Sequence, residues 1–172
     1  MLILHHYALS PFAEKIRLVL GLKGLAWHSV IIPDTLPKPD YVALTGGYRR
    51  TPSLQIGADV YCDTRLIAAE LDARWPQPGL FPGGADAHRA IEARAETALF
   101  WACALLVTGV NHAALPADFH ADRAAMRGRP PPTPDALRAA GERARPRLAA
   151  ELAWVEGMLA EDRRWLLGDA PG

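Results

Sequence analysis

Ser10, Pro11 and Phe12 stand together where an apolar run, Leu2 to His6, gives way to a helical pattern. Serine is a favoured N-cap and proline is tolerated at the first helical position, so free backbone N–H groups and the positive end of a helix dipole converge beside Ser10. Such a place stabilises an anion, including a thiolate. The Ser10 hydroxyl holds its proton too tightly to act as a base, but it can donate a hydrogen bond that keeps a thiol ionised. Taken alone, the plainer reading of Ser10 is an N-cap, and no G-x-S-x-G turn surrounds it to make a hydrolase nucleophile.

Arg49-Arg50-Thr51-Pro52 lies just before a further strand-like run, where proline is tolerated only at a strand start or an edge. A cis Thr51-Pro52 bond would leave the Thr51 N–H and C=O free to pair with an extended peptide, and a trans bond would make Pro52 an ordinary strand entry. Asp63-Thr64 opens a further helical run. A carboxylate, a hydroxyl and free N–H groups in one spot can hold both charges of an α-amino acid head; the alternative is a plain Asp cap.

Other chemistries find less support. His5 and His6 fall on opposite faces of a strand and His28, His88, His112 and His120 are scattered, so no metal site is expected. Cys62 reads as a buried strand residue, and two cysteines make no disulfide framework. With 19 basic and 19 acidic side chains, the chain lacks the basic excess of a nucleic-acid or membrane-surface binder. The Arg-rich stretch from Arg123 to Arg147 is diluted by Asp122, Asp135 and Glu142 into a solvated face. No secretory signal pattern opens the sequence, and the apolar stretch Ala98 to Val107 is too short to cross a bilayer, so a soluble, cytoplasmic protein is expected.

The elements that must position these residues follow from pattern. Leu2 to His6 reads as a strand, Ser10 to about Lys23 as a helix stopped at Gly24, and Trp27 to Ile32 as a second strand. Ser53 to Ile56 and Val60 to Cys62 flank Gly57-Ala58-Asp59 as a hairpin. Asp63 then caps a helix that turns Leu66, Ile67 and Leu71 inward. The order β α β, a poorly defined loop with room for a short helix, β β α is that of a thioredoxin-type domain. Residues 1 to 82 hold 14 Val, Ile and Thr against 8 Ala, whereas residues 83 to 172 hold 7 against 23, so the remainder is nearly all helix. Helices are expected from about Asp86 to Val107 and from about Pro134 to Ala160, with Pro146 kinking or breaking the second. Between them Arg129 to Pro134 forms a polyproline-like loop. The run Trp75 to Gly84, WPQPGLFPGG, is a linker. This predicts a thioredoxin-like domain over 1–76, a linker over 77–85 and an all-helical domain over 86–172.

In combination, strand, SPFAEKIRLVL helix, RTPSL strand and YCDTRLI helix resemble the N-terminal domain of cytosolic glutathione S-transferases across residues 1 to about 82. The Ser10-to-Glu14 segment is most similar to omega-class and related bacterial members, which usually carry Cys where this chain has Ser10; theta and zeta enzymes use a serine in this region. The resemblance implies glutathione as co-substrate, bound by Ser10 and Phe12 at the thiol, by Thr51 with a cis Pro52 at the cysteinyl unit, by Arg50 at the glycine carboxylate, and by Asp63 with Thr64 at the γ-glutamyl head. Tyr7 is the alternative hydroxyl donor, as in the tyrosine classes. It further implies a homodimer, with charged residues around Asp63 to Arg74 near the contact, and thiolate attack on a small hydrophobic electrophile. Without Cys at position 10, mixed-disulfide chemistry loses its nucleophile. Two other readings stay open: a non-catalytic binding or interaction module on the same fold, and a glutathione-dependent reductase or isomerase. The WLLGDAPG run resembles the segment preceding the family's inner helix, so the helical domain is expected to be incomplete and the sequence part of a longer one; the helices present would then expose apolar faces.

Overall fold

The computed structural model describes residues 1–171. The chain divides into two compact units, Met1–Leu80 and the residues from Phe81 onward.

The first unit is built on a four-stranded sheet. In chain order come β1 (Leu2–His6), α1 (Pro11–Leu22), β2 (His28–Ile31), α2 (Pro39–Leu44), β3 (Ser53–Ile56), β4 (Asp59–Cys62) and α3 (Thr64–Arg74). The strands lie side by side as β2-β1-β3-β4. β1 and β2 are parallel, so a tight turn cannot join them and α1 supplies the crossover. β3 and β4 form an antiparallel hairpin whose turn uses Gly57 at φ 65°. This is the α/β thioredoxin-like arrangement.

Its core follows from two periodicities. Leu2, Leu4 and Leu54 alternate onto one face of the sheet, and Ile16, Leu20, Ile67 and Leu71 recur at intervals of four on α1 and α3. Each such buried side chain contributes about 1.5–3 kcal/mol before chain entropy is counted. Leu66 does not join them: it is 51% exposed, because one residue's turn of α3 carries it off the face shared by Ile67 and Leu71.

A buried ammonium closes the lower end of this unit. Lys23, just past α1, donates to Asp72 Oδ1 at 2.8 Å, to the Trp75 carbonyl at 2.6 Å and to the Pro78 carbonyl at 2.8 Å. Those are the three hydrogen bonds that an ammonium can make. Asp72 Oδ1 also accepts from Leu80 N at 2.9 Å, which fixes the chain where it leaves the unit.

The second unit is all helix. α4 (Ala85–Arg94) runs through a π-helical turn (Ala95–Leu99) into α5 (Phe100–Val110); after a 3-10 turn at His112–Ala114 come α6 (Ala117–Ala125) and α7 (Pro134–Met158). α6 was not expected from the sequence, which assigned no element between Val107 and Arg129. Pro146 does not break α7, which stays one helix over 25 residues. Thr133 Oγ1 caps its start by accepting from Ala136 N, and Ala144 and Glu151 on either side of Pro146 are buried. The helix thus tolerates the one hydrogen bond that proline forfeits.

α4, the π-turn and α5 are continuous, as in the single helix expected from about Asp86 to Val107. Ala85–Val110 is 26 residues, long and apolar enough to cross a membrane by length and composition alone. Within the unit this run packs on α7. Arg94 Nε donates to the buried Glu151 at 2.8 Å and stacks its guanidinium over Trp154. A Cβ on Gly109 would meet the Leu137 carbonyl at 2.7 Å, and one on Gly141 would meet the Leu105 carbonyl at 3.2 Å, so two glycines set the approach of α5 to α7. Apolar side chains elsewhere on α5 stay outside that seam, with Leu105 at 41%, Val107 at 51% and Val110 at 62% exposure.

Three stability changes are expected. Lys23→Met strands Asp72 and two carbonyls and lowers unfolding free energy by about 3 kcal/mol, read as a lower urea midpoint. Gly109→Ala forces α5 and α7 apart and destabilises by about 1–2 kcal/mol, whereas Gly21→Ala, in open space on α1, stabilises by about 0.5–1 kcal/mol.

Candidate functional site

The strand register gathers the candidate residues at one end of the sheet. His5 pairs with Ser53, and Ser53 with Cys62. The turn leaving β1, the entry into β3 and the exit from β4 therefore lie side by side. These segments carry Tyr7 to Ser10, Arg50 to Pro52, and Asp63 to Thr64.

Ser10 is the N-cap of α1. Its Oγ accepts from Ala13 N at 3.1 Å, and the residue is 2% exposed. Its backbone N–H reaches the Tyr7 carbonyl at 3.3 Å, so Tyr7 and Ser10 share one tight turn. Tyr7 and Phe12 are half-buried.

At the entry to β3 the Thr51-Pro52 bond is cis. Pro52 and Ser53 are buried. Tyr41 of α2 anchors this entry by donating from its hydroxyl to the Arg50 carbonyl at 2.6 Å. Burial pushes the Tyr41 phenol up to about 12, opposed first by the Ser53 hydroxyl, while Cys62 and Tyr48 raise it further and Thr51 lowers it slightly. Those two hydroxyl oxygens lie near the phenol but complete no hydrogen bond of ordinary geometry. The Arg50 side chain is exposed.

Asp63 caps α3 by accepting from Arg65 N at 2.9 Å, with its own backbone at φ 80°, a region that favours glycine. Asp63 is exposed and Thr64 buried. Holding a non-glycine residue there costs on the order of 1–3 kcal/mol, and such outliers cluster where a ligand is clamped. Burial, then Asp63, then Cys62 raise the nearby Tyr48 phenol, while Arg50 lowers it. Tyr48 therefore lies among the residues of the second and third segments.

Lys38 joins the first segment to the second. It is 4% exposed, and its ammonium lies 5.4 Å from the Tyr7 ring centroid and 5.9 Å from that of Tyr41. Neither it nor Tyr41 or Tyr48 was singled out from sequence. The available signal was Lys38 itself, the one cation between Pro33 and Asp40, bracketed by Pro37 and Pro39.

The remaining candidates for chemistry are quieter. His5 and His6 are both buried and both hydrogen-bonded, to Gln55 Oε1 and Ser29 Oγ respectively. Cys62 is half-buried, less enclosed than expected, and burial pushes its thiol up, away from a ready thiolate. Among the described residues, no group of three or more His, Cys, Asp or Glu side chains could hold a metal ion. A cavity of about 460 Å³ opens at the opposite end of the sheet, lined by Leu2, Leu25, Ile56, Arg74 and Trp75 among others, and includes none of the residues above.

The high Tyr41 value has a consequence for stability. In the unfolded chain the phenol ionises near 10, so its stabilising effect is complete below that pH and is lost as pH rises from about 10 to about 12. Tyr41→Phe is expected to flatten this alkaline loss and to remove one late-titrating phenol from an ultraviolet pH titration.

Comparison with known proteins points the same way. Residues 4–79 match the family model described as glutathione S-transferase, N-terminal domain. The chain is 31% identical over 83 residues to the pyrimidodiazepine synthase of Drosophila melanogaster, a stretch covering 46% of this chain and 34% of that protein. A GST-like protein from Pseudomonas syringae is 49% identical, with a TM-score of 0.53 over 66% of this chain and 40% of that one. The chain thus spans well under half the length of either. A glutathione S-transferase from Methylobacillus flagellatus, solved with GSH bound, shares the fold across 99% of this chain and 75% of its own, with a TM-score of 0.65 at 21% identity. Residues 4–79 thus match a glutathione S-transferase N-terminal domain, and the chain shares its fold with solved glutathione S-transferases.

Proposed function

We propose that the end of the sheet carrying Ser10, Thr51 and Asp63 binds glutathione and that the protein directs its thiolate at a small hydrophobic electrophile. The observation that supports this most is the convergence of two helix N-termini, a strand entry with a cis proline and a buried cation on one sheet end. The tripeptide supplies the nucleophilic sulfur. Ser10 donates the hydroxyl hydrogen left over from its capping bond, and the α1 dipole adds to the stabilisation of negative charge. Phe12 packs beside the thiol. Thr51 offers its backbone N–H and C=O to the cysteinyl unit. Asp63 takes the ammonium of the γ-glutamyl head and Thr64, with the α3 N–H groups, takes its carboxylate. Arg50 is the exposed cation for the glycine carboxylate, and Lys38 adds a second positive charge near Tyr7. Holding a preformed thiolate beside a substrate is the main source of acceleration in this reading. A cytoplasmic homodimer, with the charged residues around Asp63 to Arg74 near the contact, completes it.

A second reading is a glutathione-binding module without turnover. It is favoured by one observation: Ser10 is almost fully buried and its oxygen is already spent on Ala13 N. Retention on immobilised glutathione, followed by conjugation of a chloro-aromatic, separates the two. Wild type is expected to be retained and to turn over, and Ser10→Ala to lower kcat/KM on the order of 100-fold with retention kept. Retention without turnover selects the binding module. Turnover that survives Ser10→Ala but falls in Tyr7→Phe assigns the hydroxyl to Tyr7, and absence of retention removes the glutathione reading.

A further inference from the structure

Beneath the Tyr7–Ser10 turn lies a polar network that the proposed chemistry does not use. Arg17, two turns into α1, directs its guanidinium three ways. Its Nε donates to Glu14 Oε2 at 2.7 Å, its Nη2 to the same carboxylate and to the Ala8 carbonyl at 3.3 Å, and its Nη1 meets His6 Nδ1 at 2.9 Å. A guanidinium has donors only, so His6 Nδ1 must be the acceptor and the imidazole proton must sit on Nε2. That nitrogen faces Ser29 Oγ at 2.8 Å. One tautomer of a neutral histidine therefore satisfies both neighbours, and the His6 backbone carbonyl further holds Ile32 N at 2.9 Å.

We propose that Arg17 is a positioning residue for the Tyr7–Ser10 turn, and that the neutral Nε2–H tautomer of His6 holds it in place. The inference rests on the reading that this turn carries the thiol donor. Ala8 lies between Tyr7 and Ser10, so its carbonyl gives Arg17 a direct grip on the segment whose shape sets both hydroxyls. A protonated His6 would present Nδ1–H to a guanidinium, replacing a hydrogen bond by two facing donors of like charge. The groups around the ring are Arg17 and, through it, Glu14 from α1, His5 from the same strand, Ser29 from β2, and Trp27, whose ring meets the imidazole edge-on with centroids 5.6 Å apart. Burial, then Arg17, then His5 keep His6 below its ordinary range. The grip is thus intact at neutral pH. Its contribution is complete above the unfolded-state value near 6.5 and is lost as pH falls through the lower folded-state value.

The test compares wild type, Arg17→Met and His6→Asn, the last retaining an acceptor near the Nδ1 position that cannot be protonated. Hydrogen–deuterium exchange at pH 7 over Tyr7–Ala13 reads the turn without any ligand, with the β3–β4 hairpin as internal reference. Calorimetry with reduced glutathione over a pH series descending from 7.5 reads the site. Arg17→Met is expected to speed exchange in the turn about tenfold relative to the hairpin and to weaken glutathione binding about tenfold. Wild-type affinity is expected to fall as pH is lowered, and His6→Asn to keep the turn protected and lose that fall. Unchanged turn exchange in Arg17→Met, or faster exchange with unaltered glutathione affinity, overturns the positioning role. An acid-side loss that persists in His6→Asn overturns the part given to His6. If wild type binds no glutathione, the functional reading fails, and exchange in Arg17→Met still decides whether Arg17 holds the turn.

Discussion

A lysine ammonium taken out of water must find three acceptors or forfeit several kcal/mol, and Lys23 finds them all at the base of the first unit. One acceptor belongs to α3 and two to the segment that follows it, so a single point charge fixes the end of α1, the last turn of α3 and the path of the chain toward Leu80. With both helices tied at their C-terminal ends, their N-terminal ends are held at the other end of the sheet. The anion-favouring dipole ends of α1 and α3, where Ser10 and Asp63 sit, owe their mutual placement to a contact at the far side of the domain. This division of labour keeps the costly buried ion pair away from the region where a charged ligand would bind.

Much of that arrangement was readable from local rules. Ser10-Pro11 and Asp63-Thr64 announce helix starts through side chains that satisfy free N–H groups, and both side chains do so. The hairpin was equally legible, since Gly57-Ala58-Asp59 stands between two short strand-like runs. What local rules omit is register. Only the pairing of His5 with Ser53 and of Ser53 with Cys62 shows that three motifs spread over more than fifty residues end at one place.

The misses share a physical origin. Tyr41, Tyr48 and Lys38 lie in the segment of weakest pattern, where position is set by contacts to other segments and not by periodicity. Leu66 was counted inward by hydrophobicity, though a step of one residue on α3 rotates it off the buried face. Pro146 was weighed by its own propensity, yet a long helix packed through Gly141, Ala144 and Glu151 outweighs one missing hydrogen bond. α6 escaped for the complementary reason: alanine-rich sequence is compatible with helix almost anywhere, so composition identifies the class but not the breaks.

The outermost strand, β2, is exposed along all four residues, including Val30 and Ile31. A free row of amides flanked by β-branched side chains is a template onto which a strand from another molecule can add, the first step toward aggregation. Here the template is short, and Pro33 follows closely, a residue with no N–H to offer. The sheet thereby keeps an apolar edge, yet limits how many hydrogen bonds an invading strand could form along it.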